Sequence, residues 1–306
     1  MPCHPTFTRR AFIGTAAGLA ALPRTALAQS GPLVTKPVPL TGEALPVIGL
    51  GTWITFNVGN DPRARQARAE VMRRFFELGG RLIDSSPMYG SSQPVIGHGL
   101  KTLGKAGAVF SAEKVWTSSG ARGTGQIEAS RQYWGVERFD LMQVHNLLAW
   151  EEHLPLLQAM KADGRLRYVG ITTSEGRRHR EFEKVMREQA LDFIQVTYNI
   201  LDREAEQRIL PMAQERGIAV LANRPFREGP LVDRLQRHPL PPWAGEIDCA
   251  NWPQFVLKFI VSHPAVTCAI PATTSVAHVA ENMGAGYGRM PDEPTRRRMI
   301  AYVEAL

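Results

Sequence analysis

Two hydrophobic patterns alternate along most of this 306-residue chain. Short, mostly apolar runs are followed by longer segments in which apolar residues recur at every third or fourth position. The short runs predict buried β-strands, and the periodic segments predict amphipathic helices. From residue 47 onward there are eight such runs, and a helical segment separates each run from the next. The runs lie at residues 47–51, 81–86, 108–116, 139–146, 167–174, 191–199, 218–226 and 265–272.

This alternation predicts the fold class. Strands that alternate with helices pair in parallel, because each return across the sheet needs a crossover. Eight units within about 250 residues are typical of a (β/α)8 TIM barrel, an α/β fold. A Pro-rich stretch before residue 47 predicts a short N-terminal extended or hairpin segment. The alternative, a doubly wound open sheet, would need a glycine-rich turn after its first strand, and GLGTWITFNVG lacks the third glycine.

The first 28 residues have the composition of an export signal. Arg9 and Arg10 precede an apolar stretch at residues 11–22, and small residues ending at Ala28 predict cleavage there. Paired arginines in this position resemble the twin-arginine signal, whose machinery exports folded proteins, commonly with a cofactor bound. An ordinary secretory signal that happens to carry two arginines is the alternative. Because the stretch is short for a bilayer, we predict a periplasmic protein with no stable membrane insertion after cleavage.

Composition narrows the remaining possibilities. The formal net charge of +7 falls to +4 without the three arginines of the leader, and no linker divides residues 29–306, which we predict to form a single barrel domain. The basic cluster at residues 296–298 has no interleaved aromatic residues, which indicates a solvated helix face rather than a nucleic-acid site.

The three cysteines, Cys3, Cys249 and Cys268, have no metal-ligand spacing. We therefore predict no metal site, and at most one disulfide in the mature chain.

Polar residues stand where several apolar runs end. In a barrel the carboxyl ends of the strands meet at one face, so these side chains should converge on one cleft. A structural role is the simpler explanation for each of them alone, but an acid, a phenol, an ammonium and an imidazole on successive strand ends together point to chemistry. The residues concerned are Asp84, Tyr89, Lys114, His145, Thr172, Thr173 and Gln195.

Four of these residues suit proton transfer to a carbonyl oxygen. Asp84 can hold Lys114 charged, and the ammonium should favour the phenolate of Tyr89 and so lower the pKa of that phenol. Tyr89 would then serve as a general acid–base, while His145 donates a hydrogen bond to the carbonyl oxygen. Such a set requires a hydride source that side chains cannot provide, which predicts a nicotinamide cofactor.

Six sequence motifs occur together as they do in a known protein family. The segments GLGTW, GGRLIDSSPMYGSSQPVIG, FDLMQVHN, GRLRYVGITTS, FIQVTYN and IPATTSVAHVAEN occur in the order and spacing of the aldo-keto reductases, from Leu45 to Met283. The chain resembles this family, whose members are (β/α)8 barrels with an Asp, Tyr, Lys and His tetrad. The resemblance assigns that tetrad to Asp84, Tyr89, Lys114 and His145.

The resemblance also implies a binding site for NADP(H) or NAD(H). The aromatic residue that the family usually stacks on the nicotinamide corresponds to Asn223 in this chain. The basic residues that usually bind the 2′-phosphate of NADP(H) correspond to Ala272 and His278, so the choice between NADP(H) and NAD(H) stays undecided. Trp53 and Asn146 are the expected substrate contacts. The implied cofactor-binding residues are Thr52, Thr172, Thr173, Gln195, Arg224, Thr273, His278, Glu281 and Asn282.

Together these features predict an exported oxidoreductase that interconverts a small-molecule carbonyl and an alcohol, with its cofactor tightly bound. Two alternatives are a non-catalytic, nucleotide-binding redox sensor and a barrel lyase or isomerase that uses Tyr89 and Lys114 without a nucleotide. Glu113 should point toward the helix layer, where we expect it to pair with an arginine. The Pro-rich loop at residues 228–245 either covers the site or forms a plain surface connection.

Overall fold

The computed structural model describes residues 31–306, so the predicted leader lies outside the described residues. The described chain begins with an antiparallel hairpin of β1 (Thr35–Pro37) and β2 (Ala44–Pro46). Val38 and Leu45 of this hairpin are fully buried in the hydrophobic cluster that fills the barrel interior. The predicted N-terminal hairpin is therefore present, and it covers the end of the barrel at which the strands begin.

Eight parallel strands follow in a second sheet, in which strands that are consecutive in the chain pair with each other. Bridges from Ile48 to Ala269 and from Gly51 to Ala272 join the first and last of these strands, which closes the sheet. The predicted (β/α)8 fold is confirmed. The strands are β3 (Leu50–Gly51), β4 (Leu82–Asp84), β5 (Phe110–Val115), β6 (Phe139–Val144), β7 (Leu166–Thr172), β8 (Phe193–Thr197), β9 (Ala219–Asn223) and β10 (Cys268–Ala269).

Helices form the outer layer, as the periodic segments between the apolar runs predicted. The loop 228–245 also contains a short helix that follows Gly229 and begins at a proline, a residue favoured at the first helical position. The helices are α1 (Pro62–Glu77), α2 (Ser92–Leu103), α3 (Gly120–Trp134), α4 (Trp150–Ala162), α5 (His179–Glu188), α6 (Ile209–Glu215), α7 (Pro230–Leu235), α8 (Trp252–Ser262), α9 (Val276–Gly284) and α10 (Glu293–Glu304).

The core has two layers. One lies between strands and helices, and the other fills the barrel interior. In the interior layer the rings of Phe110, Tyr168 and Phe193 contact one another, with centroid separations of 5.3 to 6.0 Å. Because these rings fill the end of the barrel nearest the hairpin, open space remains at the carboxyl ends of the strands.

Two further observations concern residues 31–306 alone. None of the helices in this range has the length and apolar character required to cross a bilayer. Cys249 and Cys268, both in the same range, are buried free thiols, so the disulfide that the cysteine count allowed is not formed between them.

Candidate active site

The carboxyl ends of the strands open into a cavity of about 470 Å³. This volume suits a small-molecule or cofactor site. Thirteen of the fifteen predicted site residues line the cavity; the exceptions are Lys114 and Thr173. The predicted convergence at one face of the barrel is therefore observed. Their roles in binding and catalysis stay predictions.

A buried ion pair lies at the floor of the cavity. The Lys114 Nζ donates to Asp84 Oδ2 over 2.6 Å and to the Ser85 carbonyl over 2.7 Å. The two side chains are 0% and 3% exposed, so neither charge is solvated by bulk water. Attraction from Asp84 raises the pKa of Lys114 above its ordinary value although burial opposes this. Lys114 is thus a permanent cation at neutral pH.

Tyr89 lies over this pair, and its acidity differs from the prediction. The Lys114 Nζ is 5.3 Å from the centroid of the Tyr89 ring. Burial raises the pKa of the Tyr89 phenol to about 12, because loss of hydration outweighs the attraction of the Lys114 ammonium. The predicted net lowering is therefore wrong, although the contribution of Lys114 has the predicted sign. Tyr89 is protonated at neutral pH, which is the form that a proton donor needs.

His145 faces Tyr89 edge-on, with ring centroids 5.8 Å apart and an interplanar angle of 86°. Burial lowers the pKa of His145 to about 3, and Lys114 adds to this effect, so the imidazole is neutral. Its Nδ1 lies 2.8 Å from Ser86 Oγ, which accepts a hydrogen bond from the Met88 backbone N–H. We infer that the Ser86 hydroxyl donates to Nδ1, which leaves a proton on Nε2 for donation to a ligand.

Two predicted cofactor ligands also hold Asp84 in place. Gln195 Nε2 donates to Asp84 Oδ1 over 2.8 Å, and Thr52 Oγ1 donates to the Asp84 carbonyl over 2.8 Å. Gln143 Nε2, from the neighbouring strand β6, is 3.3 Å from the same Oδ1. The carboxylate is therefore fixed on both of its oxygens, and Lys114 is fixed through it.

Residues after β7 and β9 form one wall of the cavity. Thr172 Oγ1 accepts a hydrogen bond from the Asn146 backbone N–H over 2.9 Å, which leaves its own proton free to donate. Thr173 does not line the cavity, and its hydroxyl donates to the Arg177 carbonyl. Asn223 accepts from Thr197 Oγ1 over 2.7 Å and donates to the Thr173 carbonyl over 2.9 Å. The structure thus separates Thr173 from the other predicted cofactor contacts.

Residues of α9 and of the loop before it also line the cavity. These are Thr273, His278, Glu281 and Asn282. Ser275 caps the helix by accepting from the His278 N–H, and no acidic residue lies in the first turn. The positive end of the helix dipole and its free N–H groups suit a phosphate here.

Arg224 connects two segments across the mouth of the cavity. It pairs with Glu175, after β7, over 2.8 Å, and it also contacts Glu228. All three residues have positive φ angles, of 51°, 59° and 68°, a conformation that non-glycine residues seldom adopt. Of the two alternatives for the loop 228–245, covering the site is the observed one, because five of its residues line the cavity. These are Glu228, Gly229, Val232, Asp233 and Gln236.

The model of the aldo/keto reductase family matches residues 47–297, which is most of the chain. The chain belongs to the aldo/keto reductase family.

Curated relatives agree with this assignment, and a solved structure has a similar fold. Methylglyoxal reductase YeaE of Escherichia coli is 28% identical over 255 residues, covering 81% of this chain and 88% of the relative. The NADH-specific methylglyoxal reductase of the same organism is 28% identical over 244 residues, covering 67% and 72%. The fold is similar to that of an aldo-keto reductase from Klebsiella pneumoniae in complex with NADPH, with a TM-score of 0.72, 24% identity and coverage of 89% and 95%.

Glu113 of this aldo/keto reductase lies on β5 next to Lys114, and its side chain points toward the helix layer. It is fully buried, and its carboxylate accepts hydrogen bonds from Trp134 Nε1 over 2.8 Å and from Gln93 Nε2 over 3.1 Å. It also accepts from the Lys114 backbone N–H over 2.8 Å. The outward direction was predicted correctly, but the expected arginine partner was wrong. Burial raises the pKa of Glu113 to about 7, although all three partners favour the anion.

We expect Glu113→Gln to remove a pH-dependent loss of stability. An unfolded glutamate titrates near pH ~4.3, so the folded aldo/keto reductase keeps this proton to higher pH. The protonated Glu113 adds on the order of 3 kcal/mol to the free energy of unfolding below about pH 4.3. This added stability is lost as the pH rises to about 7. Urea unfolding at about pH 5 and about pH 8 should show wild type losing stability relative to the variant. The exposed Glu137→Gln is the control, and an equal difference at both pH values would contradict buried titration.

Two residues of the aldo/keto reductase site were missed at the level of sequence. Ser86 orients His145, and Gln143 contacts Asp84. The sequence could have indicated Gln143, because it is a polar residue within the otherwise apolar end of β6. Ser86 carries no such signal, since its role depends on a contact with a residue 59 positions away.

Proposed function

We propose that this protein reduces an aldehyde or ketone to an alcohol, with NADP(H) or NAD(H) as the hydride source. One observation supports this most directly: the Lys114–Asp84 pair lies beneath Tyr89, and Tyr89 faces a neutral His145 at the floor of the cavity. The relatives add support, because two of them are named methylglyoxal reductases and one of these is named NADH-specific.

The residues present fit a dinucleotide. The cavity runs from Tyr89 and His145 to the N-terminus of α9, so it offers a catalytic end and a phosphate-binding end. Thr172 and Gln195 present hydroxyl and amide groups along the wall. The similar aldo-keto reductase from Klebsiella pneumoniae was solved in complex with NADPH. Nothing in the donor set opposes such a ligand, and His278 at the phosphate end leaves both nucleotides as candidates.

Each side chain of the proposed tetrad has a separate role in this reaction. His145 donates a hydrogen bond from Nε2 to the carbonyl oxygen and orients it toward Tyr89. Tyr89 gives its proton to this oxygen as negative charge develops there, since an alkoxide is a stronger base than the Tyr89 phenolate even with a pKa of about 12. Lys114, held by Asp84, stabilises the charge left on the phenolate. A reduced nicotinamide, which Thr172 and Gln195 would hold beside Tyr89, would supply the hydride.

The test is a direct assay of the mature protein with NADPH and with NADH against a panel of aldehydes that includes methylglyoxal. Loss of nicotinamide absorbance that depends on the aldehyde, and formation of the corresponding alcohol, are the expected results. Absence of turnover with every aldehyde and both nucleotides would overturn the proposal.

A redox sensor is the second candidate, and Asn223 favours it. By the sequence resemblance this residue takes the place of the aromatic ring that the family usually stacks on the nicotinamide, and both ends of its side chain are engaged by protein partners. A nucleotide that binds tightly without any aldehyde reduction would support the sensor. If no dinucleotide binds, a lyase or isomerase is the remaining hypothesis.

We also propose that the protein is exported in the folded state with its nucleotide bound. The paired Arg9 and Arg10 support the twin-arginine route, and the Arg224 contacts across the cavity mouth support slow nucleotide release. Replacing both leader arginines by lysine should retain the full-length chain in the cytoplasm. Undiminished export of that variant would favour an ordinary secretory signal, and rapid nucleotide loss from purified protein would contradict retention during export.

A further inference from the structure

A hydrogen-bonded bridge joins two loops beside Tyr89. The Asn57 Oδ1, on the loop 52–60, accepts from the Ser91 backbone N–H over 3.0 Å and from the Ser91 hydroxyl over 3.1 Å. Ser91 Oγ in turn accepts from the Gly59 backbone N–H over 2.7 Å. We call these three contacts the Asn57–Ser91 bridge. Neither Asn57 nor Ser91 lines the cavity, so the bridge acts on a ligand only through the residues that it holds.

The position of Ser91 in the chain favours a different contact from the one observed. Ser91 is the N-cap of α2, where a serine side chain commonly accepts a hydrogen bond from an N–H of the first turn. Its side chain makes no such bond. Its hydroxyl donates to Asn57 instead, and its Oγ accepts from Gly59. The chain therefore gives up a local helix cap for a contact between two loops.

Gly90, which lies between Tyr89 and Ser91, lets Asn57 approach closely. Its φ of 62° is one that residues with a side chain seldom adopt. A Cβ atom at this position would lie 2.4 Å from Asn57 Oδ1, so only glycine leaves room for the amide. Asn57 thus packs directly against the backbone that follows Tyr89.

The loop 52–60 holds the segment that carries Tyr89 at both ends. Before Tyr89, the Thr52 hydroxyl donates to the Asp84 carbonyl over 2.8 Å. After Tyr89, the Asn57–Ser91 bridge holds both the backbone and the side chain of Ser91. The position of the phenol therefore depends on a loop outside its own segment.

The loop 52–60 is itself fixed to α1. Arg68 Nε donates to the Thr55 carbonyl over 2.6 Å, and Arg65 Nε donates to the Gly59 carbonyl over 2.9 Å. Phe56 of the same loop is fully buried in the core. Because the loop is held by a helix and by the core, it can serve as a rigid support for its neighbour.

From these contacts, and resting on the proposed function, we infer that Asn57 is a positioning residue for proton transfer from Tyr89. The bridge keeps the Tyr89 ring over Lys114 and edge-on to His145. Without it, the loop 52–60 no longer holds the end of the segment that follows Tyr89, and the hydroxyl moves relative to a carbonyl oxygen bound by His145. A displacement of about 1 Å in a reacting group can lower a rate by about 10²-fold.

The experiment measures single-turnover reduction of an aldehyde and nucleotide affinity in variants of Asn57. Asn57→Ala should lower the rate about tenfold or more and leave nucleotide affinity close to that of wild type, because Asn57 does not line the cavity. Asn57→Asp keeps an acceptor oxygen for both Ser91 donors and should recover most of the rate. Asn60→Ala is the matched control: Asn60 is exposed on the same loop, and its side chain accepts from Arg65, so this variant should behave as wild type.

A double variant separates positioning from general damage to the site. If Asn57 acts through the Tyr89 hydroxyl, adding Asn57→Ala to Tyr89→Phe should lower the residual rate by less than about threefold. A loss as large as that seen in wild type would overturn the inference while the proposed function stands. So would a wild-type rate in Asn57→Ala, or a rate in Asn57→Asp as low as that in Asn57→Ala. If wild type itself reduces no aldehyde, the proposed function fails first and removes the basis of the inference.

Discussion

Replacing Tyr89 by phenylalanine should reduce kcat for carbonyl reduction by about 10²–10⁴-fold while the protein stays folded and still binds nucleotide. The change removes one hydroxyl and keeps the ring, so packing against His145 and over Lys114 is retained. Loss of a general acid in this position costs about that factor. Single-turnover measurements with bound nucleotide isolate the chemical step from product release.

The pH dependence of the wild-type reaction provides a second test of the role of Tyr89. Burial raises the pKa of Tyr89 to about 12 and lowers that of His145 to about 3, so neither group titrates between these limits. Reduction should therefore show no dependence on either group from about pH 5 to about pH 10. Alcohol oxidation needs the phenolate, and its rate should rise tenfold per pH unit up to about 12.

Tyr133→Phe is the control for the first variant, because Tyr133 is exposed on α3 away from the cavity. It should behave as wild type. Tyr89 is not the proton donor if Tyr89→Phe keeps kcat within about tenfold of wild type. The same conclusion follows if Tyr89→Phe and wild type have the same pH profile for alcohol oxidation.

Replacing Lys114 by methionine should damage both stability and activity. The variant leaves the Asp84 carboxylate, whose side chain is 3% exposed, without its cation. Breaking a buried pair by removing one partner costs about 3–5 kcal/mol, since the remaining charge stays desolvated. Activity should fall by about 10²-fold or more, because the Tyr89 phenolate loses the charge that stabilises it. Urea unfolding and single-turnover reduction measure the two effects separately.

The double variant Asp84→Asn with Lys114→Met distinguishes the two effects. Removing both charges leaves no buried ion, so much of the lost stability should return. Activity should not return, because the positive charge near Tyr89 is still missing. A Lys114→Met protein as stable as wild type would show that Asp84 is compensated by Gln195 and Gln143 alone.

The site was predictable where chain position alone places a residue. Asp84 and Thr172 end their strands, Lys114 is the penultimate residue of its own, and His145 follows directly after β6. Because parallel strands end at the same face of a barrel, their convergence needs no knowledge of side-chain contacts.

The limits of the helices were less predictable from the sequence. The first turn of α3 contains Gly120, Ala121, Arg122 and Gly123, which present no apolar periodicity.

Contacts between distant residues were not predictable. Gln195 holds Asp84 across 111 positions of the chain. Glu113 meets Trp134 and Gln93 rather than an arginine, because α2 packs against α3 and the two helices bring these two donors to it. No local pattern contains that information.

The sequence by itself determined the order of strands and helices, favoured a parallel barrel over an open sheet, and indicated the set of polar residues at the face where the strands end. Those features follow from periodicity and chain direction, which are local properties. Only the tertiary structure decided which of these groups are charged and where they point. The pKa of Tyr89 shows the reason: it depends on the balance between exclusion of water and the nearness of Lys114, and both arise only when the whole barrel is assembled.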